Sequence, residues 1–312
     1  MGKLAFVFPG QGSQYVGMGQ ELWQTQVGQE TAATARAVLG QGFLDLIADG
    51  PAEVLQQTAN TQPAILLVSV AAWQLLAQAG VTADYLAGHS LGEYSAHVAA
   101  GSVSLAEALQ VVRRRGELMQ DAVPVGQGSM AAILGLKTED VEEACRQASE
   151  VGVVAPANYN CPGQVVISGE APAVGKAMEK AKELGAKRVM FLAVSGPFHS
   201  HLMVKAGVRF REVLTDIDWR TPAQPVIANV DASPVTMAEQ IIESLVKQVS
   251  SPVRWEQSIR YLVGEGVDTF IECGPGKVLT GLIKKIAPEA VLLNVEDMPS
   301  LEKSLAYLKE SR

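Results

Sequence analysis

The chain has 312 residues, 48% of them apolar and 19% charged, and a formal net charge of −8. That length and apolar content suit one large α/β unit or a body carrying a smaller second unit, and the acidic balance excludes wholesale nucleic-acid binding. The three cysteines, Cys145, Cys161 and Cys273, lie far apart with no metal-ligand spacing; their odd number argues against a disulfide framework and fits a reducing cytoplasm.

In chain order, residues 4–8 read as a short buried strand that runs into the Gly-rich "PGQGSQ". The apolar run there is too short for a signal peptide, and Phe6 stands where a myristoylation signal needs Ser or Thr. Gly10-Gln11-Gly12 begins like a dinucleotide loop, but Tyr15 occupies the place of the third glycine, so the fingerprint fails. Helical patterns follow, ending with an apolar one over residues 62–78 that Ser69 and Gln74 interrupt; a buried helix is expected there, not a membrane span. Residues 85–88 form a strand candidate, and helices are expected over 90–100 and 104–121. The rhythm then changes. Between residues 128 and 194 come a strand, a helix, two strands separated by the turn-rich "YNCPG", a second helix and a last strand. This β-α-β-β-α-β order is the ferredoxin-like split unit. Afterwards a helix is expected from about residue 203, strands near 225–229 and 269–272, and helices between and after.

The expected fold class is therefore α/β. Residues 1–126 and 196–312 would make a hydrolase-like body with a parallel sheet and a nucleophile elbow, and residues 127–195 an inserted ferredoxin-like βαββαβ subdomain. An insertion of this kind makes a cleft with the body, a common place for a ligand.

Gly88-His89-Ser90-Leu91-Gly92 matches G-x-S-x-G, with a strand-like run before it and a helix-like run after it. That is the context of a nucleophile elbow, which makes Ser90 the candidate nucleophile. The two glycines give the turn clearance, and the helix N-terminus favours developing negative charge. The oxyanion donors of such a site are the N–H after the nucleophile and one from an early loop, here Leu91 and Gln11. A serine nucleophile needs a base, and the chain offers four histidines. His89 should point away from its neighbour at a sharp turn. His97 lies two helical turns along, a rise of about 10 Å. That leaves His199 and His201 in "VSGPFHSHLMV", between which spacing does not choose. No acid between Ser90 and these histidines stands in a recognisable motif, so the group orienting the base is expected to be an amide or a backbone carbonyl.

In "SLAEALQVVRRRGELMQ", Leu105, Ala108, Leu109, Val112 and Met119 follow helical spacing. Arg115 falls on the same stripe, and Arg113 and Arg114 fall off it. An inward arginine is costly unless it meets an anion. No acid is an obvious partner, so a bound carboxylate or phosphate is expected, held by the guanidinium fork. "ECGPGKVLTGL" lacks the Walker A spacing and reads as a structural strand-to-helix turn.

With these residues in hand, the sequence resembles the malonyl-CoA:acyl carrier protein transacylases, acyltransferases of fatty acid and polyketide synthesis. The resemblance covers almost the whole chain and is carried by "FPGQGSQYVGMG", "TQPAILLVS", "AGHSLGEYSA", "RRRGELMQ", "NYNCPGQVVISG", "VSGPFHSHLM", "SPVRW" and "ECGPGKVLTGL". It implies that Ser90 accepts the acyl group, that His199 and not His201 is the catalytic histidine, and that Arg115 pairs with the malonyl carboxylate. It also implies that the backbone carbonyl of Gln248 orients His199 and that Gln11 and Leu91 form the oxyanion hole. The "GPF" before His199 is compatible with a malonyl preference.

The expected activity is ping-pong transfer of malonyl from malonyl-CoA to the phosphopantetheine thiol of acyl carrier protein, in the cytoplasm, by a monomer. No metal or cofactor beyond CoA substrates, no nucleic acid and no membrane are expected. A fatty acid role is expected; a stand-alone polyketide acyltransferase uses the same residues. A serine hydrolase or thioesterase shares the elbow but has no use for a buried cation at the acyl end. A carrier-docking subunit with a dead site disagrees with the intact Ser90, His199 and Arg115. The carrier protein is expected to be acidic and to meet a basic rim, for which Lys187, Arg188, Lys205 and Arg209 flank the cleft in sequence.

Overall fold

The structure, a computed structural model, describes residues 2–124, 126–194 and 196–311. It is a mixed α/β fold with two sheets. The strands are β1 (Lys3–Phe8), β2 (Tyr85–Gly88), β3 (Gly128–Leu134), β4 (Val154–Cys161), β5 (Gln164–Glu170), β6 (Arg188–Phe191), β7 (Val226–Ile227), β8 (Pro234–Val235), β9 (Val267–Cys273) and β10 (Val291–Val295). The larger sheet has the order β10-β9-β1-β2-β7-β8. Its pairs are parallel apart from β7 with β8. The smaller sheet, β4-β5-β3-β6, is antiparallel throughout.

The sequence of β1 explains its place. Leu4 to Phe8 are all buried, because helices cover both faces of the central parallel strands. Leu4, Phe6 and Phe8 pack into one core, with Leu66 and Val70 of the helix Thr58–Gln78. Ala5 and Val7 face the other way, toward Trp255, Ile259 and Phe270. The helix Thr58–Gln78 is buried from Thr61 to Ala72 without an exposed face, the pattern of a helix enclosed on all sides. Among the described residues no helix is long and apolar enough to cross a membrane.

Several elements differ from expectation. The buried helix starts at Thr58, four residues ahead of the apolar run, and holds Pro63 inside it. The segment "YNCPG" is mostly strand: β4 continues to Cys161 and leaves only Pro162 and Gly163 as the turn. It does so with register shifts at Pro156/Asn158 and Tyr159/Cys161. These bulges let β4 also bond outside its own sheet: Tyr159 N–H donates to Val253 O, and Val253 N–H to Ala157 O. Polar turn-formers were outweighed there by pairing on both edges. The strand expected over 225–229 is only two residues long before it folds back into β8. Val291–Val295, where a helix was expected, is an edge strand on β9, since a five-residue segment is too short to show a helical period. The expected boundary residue Ser195 lies outside the described residues.

Candidate active site

β2 ends at Gly88 and the next helix runs Gly92–Ala99, so Ser90 sits on the turn between them. Its φ is +51°, the left-handed region that a residue with a side chain enters only when its surroundings impose it. The packing is close. A Cβ on Gly88 would stand 1.9 Å from the carbonyl carbon of Gly92, and one on Gly92 2.0 Å from Phe8 O. Backbone therefore lies on backbone here, and the loop after β1 is pressed against the elbow. Asn229 clamps the turn from the side: Ser90 N–H donates to its Oδ1 at 2.6 Å, and its Nδ2 donates to Gly88 O at 2.7 Å.

Of the two candidate bases, the structure brings His199 to the serine. Ser90 Oγ lies 2.7 Å from His199 Nε2, while His201 is exposed at the start of a short 3-10 turn. His199 Nδ1 is 2.9 Å from the backbone carbonyl of Gln248. A carbonyl only accepts, so Nδ1 carries the proton and Nε2 is left as the acceptor for Ser90. Burial, with help from the Arg115 charge, lowers the His199 pKa to about 3, which keeps the imidazole neutral. His89 turns away from Ser90: its Nε2 lies 2.8 Å from Asn160 Oδ1 and its ring tilts against Trp255. His97 is buried edge-on against Trp219, with no hydrogen bond on either nitrogen among the described residues.

The helix Leu105–Gln120, opened by a Ser104/Glu107 capping box, sorts its three arginines as the stripe predicts. Arg113 is half-buried on Asn60 and Arg114 is exposed on Glu117. Arg115 is buried, 1% exposed. The neighbouring Gly116 makes this possible, since a Cβ there would stand 2.7 Å from Ala59 Cα. The two helices touch at that point, and Gln62 on the second helix meets the arginine. Arg115 Nη1 donates to Gln62 Oε1 at 2.9 Å; Nη2 donates to Gln248 Oε1 at 2.9 Å and to Ser90 Oγ at 3.2 Å. Its Nε has no partner among the described residues. No carboxylate forms an ion pair with it there. A buried guanidinium held by neutral oxygens and by the face of the Tyr94 ring, 5.3 Å away, with donors to spare beside a nucleophile, is a receptor for an anionic group.

Gln11, Leu91, Gln62, Ser90, Arg115 and His199 line one cleft, whose apolar wall includes Met119, Met130, Leu192, Val194 and Phe198. Neither the Gln11 nor the Leu91 backbone N–H makes a backbone hydrogen bond among the described residues. Lys187, Arg188, Lys205 and Arg209 are all exposed.

Three residues of this network were not expected from the sequence: Gln62, Asn229 and Glu93. Gln62 and Asn229 gave no signal, because their contacts span 53 and 139 positions. Glu93 did give one. It is the acid of "GEYSAHVAAG", whose helix has no polar face, and all eight residues of that helix are buried. Its Oε2 accepts from Asn229 N–H at 2.9 Å and Gln248 Nε2 at 2.7 Å. Burial raises its pKa to about 7.

Similarity to known proteins identifies the family. Residues 5–303 match the family model described as acyl transferase domain. A malonyl CoA-acyl carrier protein transacylase of Bacillus subtilis (strain 168) is 49% identical over 312 residues, covering 99% of this chain and 98% of the relative. One from Staphylococcus aureus (strain MW2) is 44% identical over 304 residues, covering 97% and 98%. Among solved structures, an acyl carrier protein S-malonyltransferase from Vibrio cholerae superposes with a TM-score of 0.94 at 46% identity, covering 97% of this chain and 99% of that one. A malonyl-transacylase solved in complex with its type II PKS acyl-carrier protein superposes at 0.95 with 43% identity, covering 98% and 99%.

Proposed function

Since the chain belongs to the acyl transferase family, and within it to the malonyl CoA-acyl carrier protein transacylases, we propose that it carries malonyl from malonyl-CoA to the thiol of acyl carrier protein through an ester on Ser90. The chief support is the buried Arg115, which has no carboxylate in ion-pair contact among the described residues and lies within hydrogen-bond distance of a serine that also meets a neutral histidine. His199 Nε2 takes the Ser90 proton as Oγ attacks the thioester carbon. The N–H groups of Gln11 and Leu91 receive the oxyanion. The intermediate collapses, the C–S bond breaks, and the CoA thiolate leaves with the proton from His199. The phosphopantetheine thiol then gives its proton to His199 and attacks the ester. The C–O bond breaks and Ser90 Oγ recovers the proton. Arg115 selects an acyl group that ends in a carboxylate.

Transfer is favoured over hydrolysis because the partner of His199 Nδ1 is a carbonyl and the acyl end meets a cation. The parallel sheet around the elbow supports a hydrolase-like body over residues 1–126 and 196–312. The order β6-β3-β5-β4 supports a ferredoxin-like insert over 127–195. The exposed Lys187, Arg188, Lys205 and Arg209 suit an acidic carrier protein, and fatty acid synthesis is the pathway proposed for the product. The test is to mix the protein with malonyl-CoA without carrier protein and follow intact mass and free CoA. A stable malonyl adduct that is absent in Ser90→Ala is expected. Steady CoA release without an adduct would replace transfer with hydrolysis.

A further inference from the structure

The reaction scheme leaves Glu93 without a part. Its Oε2 takes two donors, Asn229 N–H and Gln248 Nε2, and its Oε1 has no partner among the described residues. Gln248 is fully engaged as a result. Its Nε2 donates to Glu93 and to Ser90 O at 3.0 Å, which turns its Oε1 to Arg115. Its backbone carbonyl holds His199. One carboxylate thus aims the amide that touches the buried cation. Glu93 and Arg115 share no ion pair, yet in a dry interior their charges act on each other across this amide.

We propose that Glu93 sets the acyl selectivity: it balances Arg115 in the free protein, aims Gln248 at it, and so limits how tightly Arg115 holds the carboxylate of an incoming acyl group. This rests on the carboxylate-binding role given to Arg115 above. Two carboxylates then compete for one buried guanidinium. Malonyl places a second anion near Glu93, and like charges in a shared site favour protonation of one of them. The unpartnered Oε1 is the atom available for that proton. Burial already brings Glu93 to about 7, whereas an acyl carboxylate is ionised well below that. The sign follows. Below about 7 Glu93 is neutral, Arg115 is unbalanced and malonyl is favoured; above it Glu93 is charged and malonyl loses part of its advantage. The other titratable groups facing Glu93 and Arg115 are the Tyr94 hydroxyl, raised by burial, the Asp231 carboxylate and His199, lowered by burial. All of them remain in place when Glu93 is changed.

The experiment compares kcat/KM for acylation of Ser90 by malonyl-CoA and by acetyl-CoA, from about pH 6 to about pH 8.5. Ser90 and His199 serve both substrates, so their titrations cancel in the ratio. In the wild type the malonyl-to-acetyl ratio falls about tenfold over that range, the effect of one pKa unit of coupling between neighbouring charges. In Glu93→Gln, which keeps an oxygen for Gln248 but carries no charge, the ratio is flat and stays at or above its acid-side value. A flat wild-type ratio, or the same slope in Glu93→Gln, overturns the proposal. The wild-type profile decides even if Glu93→Gln does not fold. Arg115→Ala separates this from the reading beneath it: a malonyl preference that survives there removes the carboxylate clamp itself. Loss of preference there, with a flat wild-type ratio, removes only the role of Glu93.

Discussion

Replacing Arg115 by alanine should separate the two substrates that the cleft can accept. The side chain is 1% exposed and gives hydrogen bonds to Gln62, Gln248 and Ser90. For malonyl, the variant leaves a carboxylate in a buried site without a counter-charge. Losing one partner of a buried pair costs about 3 kcal/mol at the low end, which is about 150-fold in kcat/KM. Acetyl carries no carboxylate, so it loses only the contact between Arg115 and Ser90 Oγ, about tenfold for a charge-assisted hydrogen bond. Acylation is followed by intact mass and CoA release for each substrate, with thermal unfolding as a check on the fold. The fold should hold: Gln62 and Gln248 each lose a donor, but the desolvation cost of a buried cation disappears with it. Equal losses on malonyl and acetyl would refute the clamp and reduce Arg115 to a part of the serine's surroundings.

Gly92→Ala places a methyl 2.0 Å from Phe8 O, with backbone on both sides. It should cost about 3 kcal/mol and most of the Ser90 acylation, whereas Gly175→Ala, in a helix with nothing within 4 Å, should leave acylation unchanged. Wild-type acylation in Gly92→Ala would show that the elbow does not need this close approach. His97 is lowered to about 3 by burial alone, so below its unfolded value of about 6.5 the unfolded chain binds a proton that the folded chain refuses. Stability from a neutral His97 is therefore present above about 6.5 and lost as pH falls. His97→Leu removes that loss. Its unfolding free energy should gain on the wild type by about 1.4 kcal/mol per pH unit on going below pH 6, read from urea melts. Parallel pH dependences in the two proteins would mean that His97 stays charged or solvated in the fold.

Features that repeat on a local period could be read from the residues alone. The elbow is visible because strand, glycine spacing and helix are all within fifteen residues, and the inward arginine because helical spacing places Arg115 with Val112 and Met119. The order of strands and helices in residues 128–194 was legible for the same reason. The edge strand Val291–Val295 was not, being too short to show a period, nor was the extension of β4 through Asn160 and Cys161, which depends on a pairing with Val253. The resemblance of eight motifs, not spacing, chose His199 over His201.

The wiring of the site depends on the closed chain. Gln248, Asn229 and Glu93 reach Ser90, Arg115 and His199 across 49 to 158 positions of chain in most of their contacts. Hydrogen bonds of that range leave no periodic trace, because each needs one donor and one acceptor in a given place and makes no demand on the neighbours of either. Glu93 is an acid in an apolar helix. Its partners became known when the chain closed around it, as burial leaves a charge only the donors that the fold supplies.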